Sequence, residues 1–215
     1  MTSTRERIKD NFPTVLLTLL SIVQALALEL LWNHLDSAPY LFSPSPLALL
    51  CWLQIAATLM GIILIWLVYA SNAMRFRWVP ATGDSTLPFV IGIIEFILVA
   101  ELGPDSFGIW LALMGVVFAL MTWTVRSTMH RARQDADNAE FFAQVPPAKL
   151  VDFIPHIALI SALLLAGVFV HLSDNNQTVA AVAVVGTLGL LAWQYRVTAR
   201  FWQLSINQAE QSVSE

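Results

Sequence analysis

Ionisable side chains inside apolar stretches are the residues of this sequence best suited to chemistry. Glu95 lies near the middle of one such stretch, Glu101 near its end, and Glu29 toward the end of another. A carboxyl group in an apolar setting is costly to ionise, and such residues usually serve to bind a proton or an ion. We therefore predict that these three glutamates lie on a pathway for cations or protons.

Uncharged polar residues form two helical stripes that could accompany these carboxylates. Each stripe falls within an arc of roughly 80° when residues are placed at about 100° intervals. The stripes consist of Thr14, Thr18, Ser21 and Glu29, with Gln24 beside them, and of Cys51, Gln54, Thr58 and Gly61. They could line a wet path, or they could form the interhelical hydrogen bonds that fix packing in membrane bundles. The candidate pathway residues are Glu95, Glu29, Glu101, Gln24, Gln54, Ser21 and Thr18.

A second group of side chains could bind a metal ion. It consists of His34, His171, Asp36 and Asp174, which all lie at or just beyond the ends of apolar stretches. Imidazole and carboxylate groups are ligands for zinc and other divalent ions. Their spacing matches no metal-binding signature, so the sequence leaves open whether they bind a metal or only end their helices. We expect no cofactor, and the single Cys51 excludes a disulfide within the chain.

The composition decides which class of protein must position these residues. The chain has 215 residues, of which 57% are hydrophobic and 12% are charged. Soluble domains carry about 25% charged and about 45–50% apolar residues. So few charges cannot cover the surface of a globular protein of this size. The composition therefore argues against a soluble enzyme, a nucleic-acid-binding domain and a disordered chain.

Apolar stretches that reach or nearly reach the length needed to cross a bilayer occur six times, and the third of them is short. A membrane helix needs about 20 mostly apolar residues, with a range of about 17–25. The predicted spans are residues 13–32, 47–69, 87–102, 107–125, 151–172 and 179–195. We therefore predict an all-α, polytopic membrane bundle of six transmembrane helices that forms a single domain over residues 1–215. Gly186 and Gly189 in the last span predict that this helix is buried in the bundle or lies at a contact between subunits.

The basic residues indicate the orientation of this bundle. With six spans, all eleven Lys and Arg residues fall on one side, and the first, third and fifth loops contain none. Because basic loops stay in the cytoplasm, both termini are predicted to be cytoplasmic, in a cell inner membrane. The polar segment 126–145 is predicted to continue the fourth helix into the cytoplasm until Pro146 and Pro147 break it.

Three functions are compatible with this pattern. The first is an oligomeric cation or proton conduit, either a channel or a transporter, embedded in the lipid bilayer and formed by copies of this chain. The second is a membrane scaffold or accessory subunit that binds a protein partner through residues 126–149. The third is a lipid-modifying membrane enzyme, although the sequence contains no metalloprotease motif, no nucleophile elbow and no phosphate-binding loop. We expect a conduit rather than an enzyme, and no nucleic-acid partner.

Overall fold

The computed structural model describes residues 3–214, and their regular structure is entirely helical. The helices are α1 (Thr4–Ser37), α2 (Pro46–Arg75), α3 (Thr82–Ala100), α4 (Phe107–Gln134), α5 (Ala139–Gln144), α6 (Ile154–Leu172) and α7 (Gln177–Ser214). Within this described part, six helices, all but α5, are long and apolar enough to cross a membrane. The predicted all-α chain with six apolar helices is confirmed, and it is compatible with an integral membrane protein.

Side-chain caps fix where the first two long helices begin. The Ser3 hydroxyl accepts a hydrogen bond from the backbone N–H of Glu6 at 3.2 Å, and Ser45 does the same for Ala48 at 3.1 Å. Serine at this position satisfies one of the free N–H groups of the first turn. Pro46 then occupies the first position of α2, where its missing N–H costs nothing.

The long helices form a bundle in which α2 is the most enclosed. Helix α1 packs against α2 and α3, α3 against α4, α4 against α6, and α2 against α7. In the most apolar stretch of α2, 61% of the residues are buried, compared with 17% for α6 and 22% for α7. Helices α6 and α7 therefore present broad apolar faces to the surroundings of the bundle, as helices in contact with lipid would.

Glycines allow α4 and α6 to approach each other closely. A Cβ atom on Gly108 would lie 2.5 Å from the backbone nitrogen of His171, and one on Gly167 would lie 2.7 Å from that of Ala112. Gly186 and Gly189 of α7 make no such contact within the described chain, where no neighbouring helix lies within 4 Å of a Cβ placed on either. Their use in a contact between subunits stays a prediction. Helix α7 is rotated about its axis so that another of its faces packs into the bundle. That face carries Ala180, Val184, Thr187 and Leu191.

Three basic residues, Lys9, Arg77 and Arg131, pair with acids at one end of the bundle, here called the basic end. Lys9 Nζ lies 2.7 Å from Asp135 Oδ1 and 3.1 Å from Asp137 Oδ2. Arg77 pairs with Asp10. Phe76 and Trp78 pack with Ala132, Phe141 and Phe142 beside these pairs. The segment after α4 is therefore part of the folded bundle.

Helix α4 ends at Gln134, earlier than the sequence suggests. The side chain of Asn138 donates hydrogen bonds to the carbonyl oxygens of Ala132 at 2.7 Å and of Arg77 at 2.6 Å. Asp135 accepts a hydrogen bond from the backbone of Asp137 at 3.2 Å and pairs with Lys9. These contacts replace the next helical turn, so residues 126–145 form the end of α4, a 3-10 turn and the short α5.

Candidate functional site

A carboxyl group and an amide face each other between α1 and α3. The Nε2 atom of Gln24 lies 3.0 Å from both carboxyl oxygens of Glu95. Both residues are buried, and only 1% of the Glu95 surface is exposed. Gly92 permits this contact, since a Cβ there would lie 2.3 Å from Cγ1 of Val23. The α1–α3 approach thus brings a titratable group and its partner together in the interior of the bundle.

The Gln24 amide can satisfy Glu95 in either protonation state. When Glu95 is ionised, its oxygens accept from Nε2, as the distances indicate. The amide oxygen Oε1 of Gln24 is buried without a hydrogen-bond partner. If Glu95 takes up a proton and the amide turns over, the new O–H group can donate to that oxygen. The pair therefore suits a carboxyl group that gains and loses a proton.

The surroundings of Glu95 lack the groups that would hold a metal cation. Within residues 3–214, Glu95 has no ion pair, and no three His, Cys, Asp or Glu side chains that the structure describes come together as a metal site. Hard cations usually take about six or more oxygen ligands. One carboxyl group with one neutral amide is therefore better matched to a proton.

Gln54 and Glu101 lie together, but their contacts are structural. Gln54 Oε1 accepts a hydrogen bond from the backbone N–H of Gly103 at 3.1 Å, and Gln54 Nε2 lies 3.5 Å from the carbonyl oxygen of Glu101. These contacts hold the turn between α3 and α4. Nearby, Thr58 accepts a hydrogen bond from Trp110 at 2.9 Å. The second polar stripe is thus buried in the bundle and separate from Gln24.

The first polar stripe faces away from Glu95. Thr18, Ser21 and Glu29 are all exposed on the outer side of α1, whereas Gln24 lies on its buried side. Ser21 accepts a hydrogen bond of 3.4 Å from Trp66 of α2. Of the candidate pathway residues, the structure joins Gln24 with Glu95 and places these three outside the bundle.

The candidate metal ligands are not assembled. His34 Nε2, in the last turn of α1, lies 3.0 Å from the hydroxyl of Tyr40 in the 3-10 turn that follows. Asp36 is exposed. Asp174 is in the tight turn before α7, with φ of 50°. His171 is exposed at the end of α6, where its backbone packs against Gly108.

Two buried polar residues near the basic end have no counterpart among the sequence candidates. Asp84 is buried at the start of α3, and Tyr69 is buried near the end of α2. Both line a small cavity between α1, α2, α4 and the start of α3. A tyrosine at the end of an apolar stretch is typical of a membrane-interface anchor. The sequence feature that could have drawn attention to Asp84 is its 11-residue spacing from Glu95, which puts both on one face of α3.

Comparison of the chain with protein-family models, with curated proteins and with solved structures gave no match in any of the three.

Proposed function

We propose that this chain is an integral membrane protein that moves protons across the bilayer, and that Glu95 is the group that carries them. The observation behind the proposal is the burial of Glu95 inside an apolar bundle with Gln24 as its hydrogen-bond partner. An ionisable residue at such a position is expensive for a membrane protein to keep. A glutamine would provide the same packing without that cost.

A proton fits this site better than a metal cation because few oxygen ligands surround it. Glu95 offers two oxygens and faces a single amide that can serve either protonation state. Since Glu95 lies among helices of one chain, the proton path runs within each subunit. Assembly of several copies stays a prediction and is not needed to enclose the path. The basic end of the bundle is taken as its cytoplasmic end, by the rule that basic loops stay inside.

The scaffold alternative has less support because residues 126–149 are already used within the fold. Asp135 and Asn138 are buried in contacts with other helices. Arg133 donates hydrogen bonds to the carbonyl oxygens of Val145 at 2.9 Å and Pro146 at 3.1 Å. Less of this segment is therefore free to bind a partner.

Proton flux from liposomes tests the proposal. The purified protein is reconstituted with a pH-sensitive dye inside, and a potassium gradient with an ionophore sets the membrane potential. We expect wild-type protein to carry protons and Glu95→Gln to lose nearly all of this flux, because the amide cannot bind an exchangeable proton. Glu29→Gln is the matched control: it makes the same chemical change on the exposed face of α1 and should leave the flux unchanged.

Two results would contradict the proposal. One is equal proton flux in wild-type protein and in Glu95→Gln, both shown to be folded and inserted. The other is a wild-type protein that carries potassium or sodium ions but no protons when each gradient is applied alone.

A further inference from the structure

Helices α4 and α6 stay in contact as far as the basic end of the bundle. They run antiparallel, because Gly108 at the start of α4 lies against the backbone of His171 at the end of α6. At the other end of the contact, the Arg126 guanidinium lies over the ring of Phe153, 4.9 Å from its centroid. Arg126 is itself exposed. The contact between α4 and α6 therefore ends in a cation at the surface of the bundle.

No carboxylate balances the charge of Arg126 in the part of the chain that the structure describes. Its guanidinium forms none of the ion pairs there, and the basic residues that do pair with acids are Lys9, Arg77 and Arg131. Asp152 is next to Phe153 in the chain, but its carboxylate accepts a hydrogen bond from the backbone N–H of Lys149 at 2.7 Å. The counter-charge for Arg126 must therefore come from another molecule.

A second cation, Lys149, lies in the segment that carries Phe153. Lys149 is exposed and directly precedes the 3-10 turn Leu150–Phe153. At a rise of about 2.0 Å per residue, it lies about 8 Å before Phe153 along this turn. Its ammonium group also forms none of the ion pairs among the described residues. Both cations are thus close to Phe153, one against its ring and one just over a turn before it.

Large apolar side chains border these cations on the outside of the bundle. Trp123, one turn before Arg126 on α4, is 67% exposed, and Leu150 in the 3-10 turn is 75% exposed. Val151 and Ile154 are exposed beside them. In a chain that crosses a membrane, tryptophan lies at the level of the lipid headgroups and aliphatic side chains contact the acyl chains. This border therefore places Arg126 and Lys149 at headgroup level.

We propose that Arg126, Lys149 and Phe153 bind the headgroup of one anionic phospholipid, whose acyl chains lie along the outer faces of α4 and α6. Arginine binds phosphate through two parallel N–H groups, and stacking on Phe153 fixes the plane of the guanidinium while leaving those groups free. A zwitterionic headgroup would bring its own cation toward Lys149. Basic sites between membrane helices favour anionic headgroups for this reason. The inference requires a chain that crosses a membrane, and it does not depend on proton movement through Glu95.

Native mass spectrometry of the purified protein in mixed micelles tests this site. The micelles contain equal amounts of phosphatidylglycerol and phosphatidylcholine with the same acyl chains, and the lipids that stay bound are counted. We expect wild-type protein to retain one phosphatidylglycerol in preference to phosphatidylcholine. Arg126→Gln should lower this preference roughly fivefold, the usual contribution of one basic residue at an anionic membrane surface. Arg196→Gln, the same change at an exposed position of α7, is the matched control and should keep the preference.

Phe153→Leu separates a built site from attraction to a basic surface, because it keeps both charges and removes the stacking. It should lower the preference roughly twofold, as expected for the loss of an exposed cation–π contact. Equal losses in Arg126→Gln and Arg196→Gln would overturn the site, as would a wild-type protein without any preference for phosphatidylglycerol. Displacement of the lipid by inorganic phosphate would overturn the role given to the acyl chains. Glu95→Gln should keep the preference, so this test and the flux test fail independently.

Discussion

At the scale of residues, Glu95 and Gln24 gain their properties from each other. The carboxyl group is enclosed by apolar helices, and the amide can donate to it or accept from it. Neither property is visible in one residue alone. The sequence draws attention to Glu95 because an acid interrupts an apolar run. It places Gln24 beside a polar stripe, but one helix's periodicity cannot show which neighbouring helix a side chain meets.

Gly92 is the residue on which the Gln24–Glu95 contact depends most. In Gly92→Ala, the new methyl group would meet Val23, whose Cγ1 atom is 2.3 Å from the Cβ position. We expect the free energy of unfolding to fall by about 1–3 kcal/mol, as for other overpacked sites, and proton flux to fall with it. The measurements are denaturation in detergent and the liposome flux described above.

A compensating variant checks the reason for this effect. Val23→Ala combined with Gly92→Ala makes room for the methyl group and should recover most of the lost stability and flux. Gly186→Ala is the control, because its Cβ would have open space around it. A Gly92→Ala protein as stable as wild type would show that α1 and α3 do not approach as closely as described here.

At the scale of elements, close backbone contact and ion pairs fix how the helices pack. Hydropathy predicted the six apolar helices because each apolar run reaches or nearly reaches the length needed to cross a bilayer. It could not predict that Gly108 and Gly167 would form a close contact between α4 and α6 while Gly186 and Gly189 face outward. The difference depends on how each helix is rotated about its own axis, and that rotation is set by packing against the neighbouring helices. The end of α4 depends in the same way on a distant partner, Lys9.

Gly167 tests the packing of α4 on α6. In Gly167→Ala, the added methyl would lie 2.7 Å from the backbone nitrogen of Ala112 and 2.8 Å from the carbonyl oxygen of Gly108. Backbone atoms cannot move aside as a side chain can, so the two helices must separate. We expect a loss of about 3 kcal/mol of unfolding free energy, at the upper end for overpacking. Gly189→Ala should cost nothing measurable, and equal losses in the two variants would contradict the packing.

Asp135 makes the stability of the basic end depend on pH. Burial alone would raise the pKa of Asp135, but the hydrogen bonds from Lys9 and from the backbone of Asp137, with the charge of Lys9, hold it below its ordinary value. Because the pKa is lower in the folded state, the stabilisation is present above about pH 4, the value for an unfolded aspartate. It is lost as the pH falls through the lowered value.

Comparison of wild type with Asp135→Asn measures this contribution. The amide keeps the shape of the turn but loses the charged hydrogen bond, worth about 1.5–3 kcal/mol. Wild type should be the more stable protein at pH 7, and the two should converge as the pH is lowered toward 2. An equal difference in unfolding free energy at both pH values would show that the charge of Asp135 is not what stabilises the fold.

At the scale of the whole molecule, the positions of the charges and of the apolar surfaces are both compatible with a bundle that crosses a membrane. The ion pairs described by the structure gather at one end, and the helices leave broad apolar faces around the middle. The positive-inside rule predicts a direction for this arrangement, with the basic end in the cytoplasm. The polar cavity between Tyr69 and Asp84 could not be predicted from the sequence, because it is formed where α1, α2, α4 and the start of α3 meet and no single segment carries its pattern.

Cysteine labelling tests this direction. In a Cys51→Ala background, a cysteine is placed at Ser43, between α1 and α2, or at Glu140, in α5; both positions are exposed. A membrane-impermeant maleimide should label Ser43→Cys in intact cells and Glu140→Cys only after the membrane is opened. The reverse pattern would place the basic end outside the cell.

The central claim is that Glu95 holds an exchangeable proton inside the bundle, and infrared difference spectroscopy of the membrane-embedded protein tests it most directly. Spectra recorded at acid and alkaline pH are subtracted to show carboxyl groups that change protonation. We predict a protonated-carboxyl band from a site shielded from water, present in wild type and in Glu29→Gln and absent in Glu95→Gln. A difference spectrum that is identical in wild type and Glu95→Gln would contradict the claim.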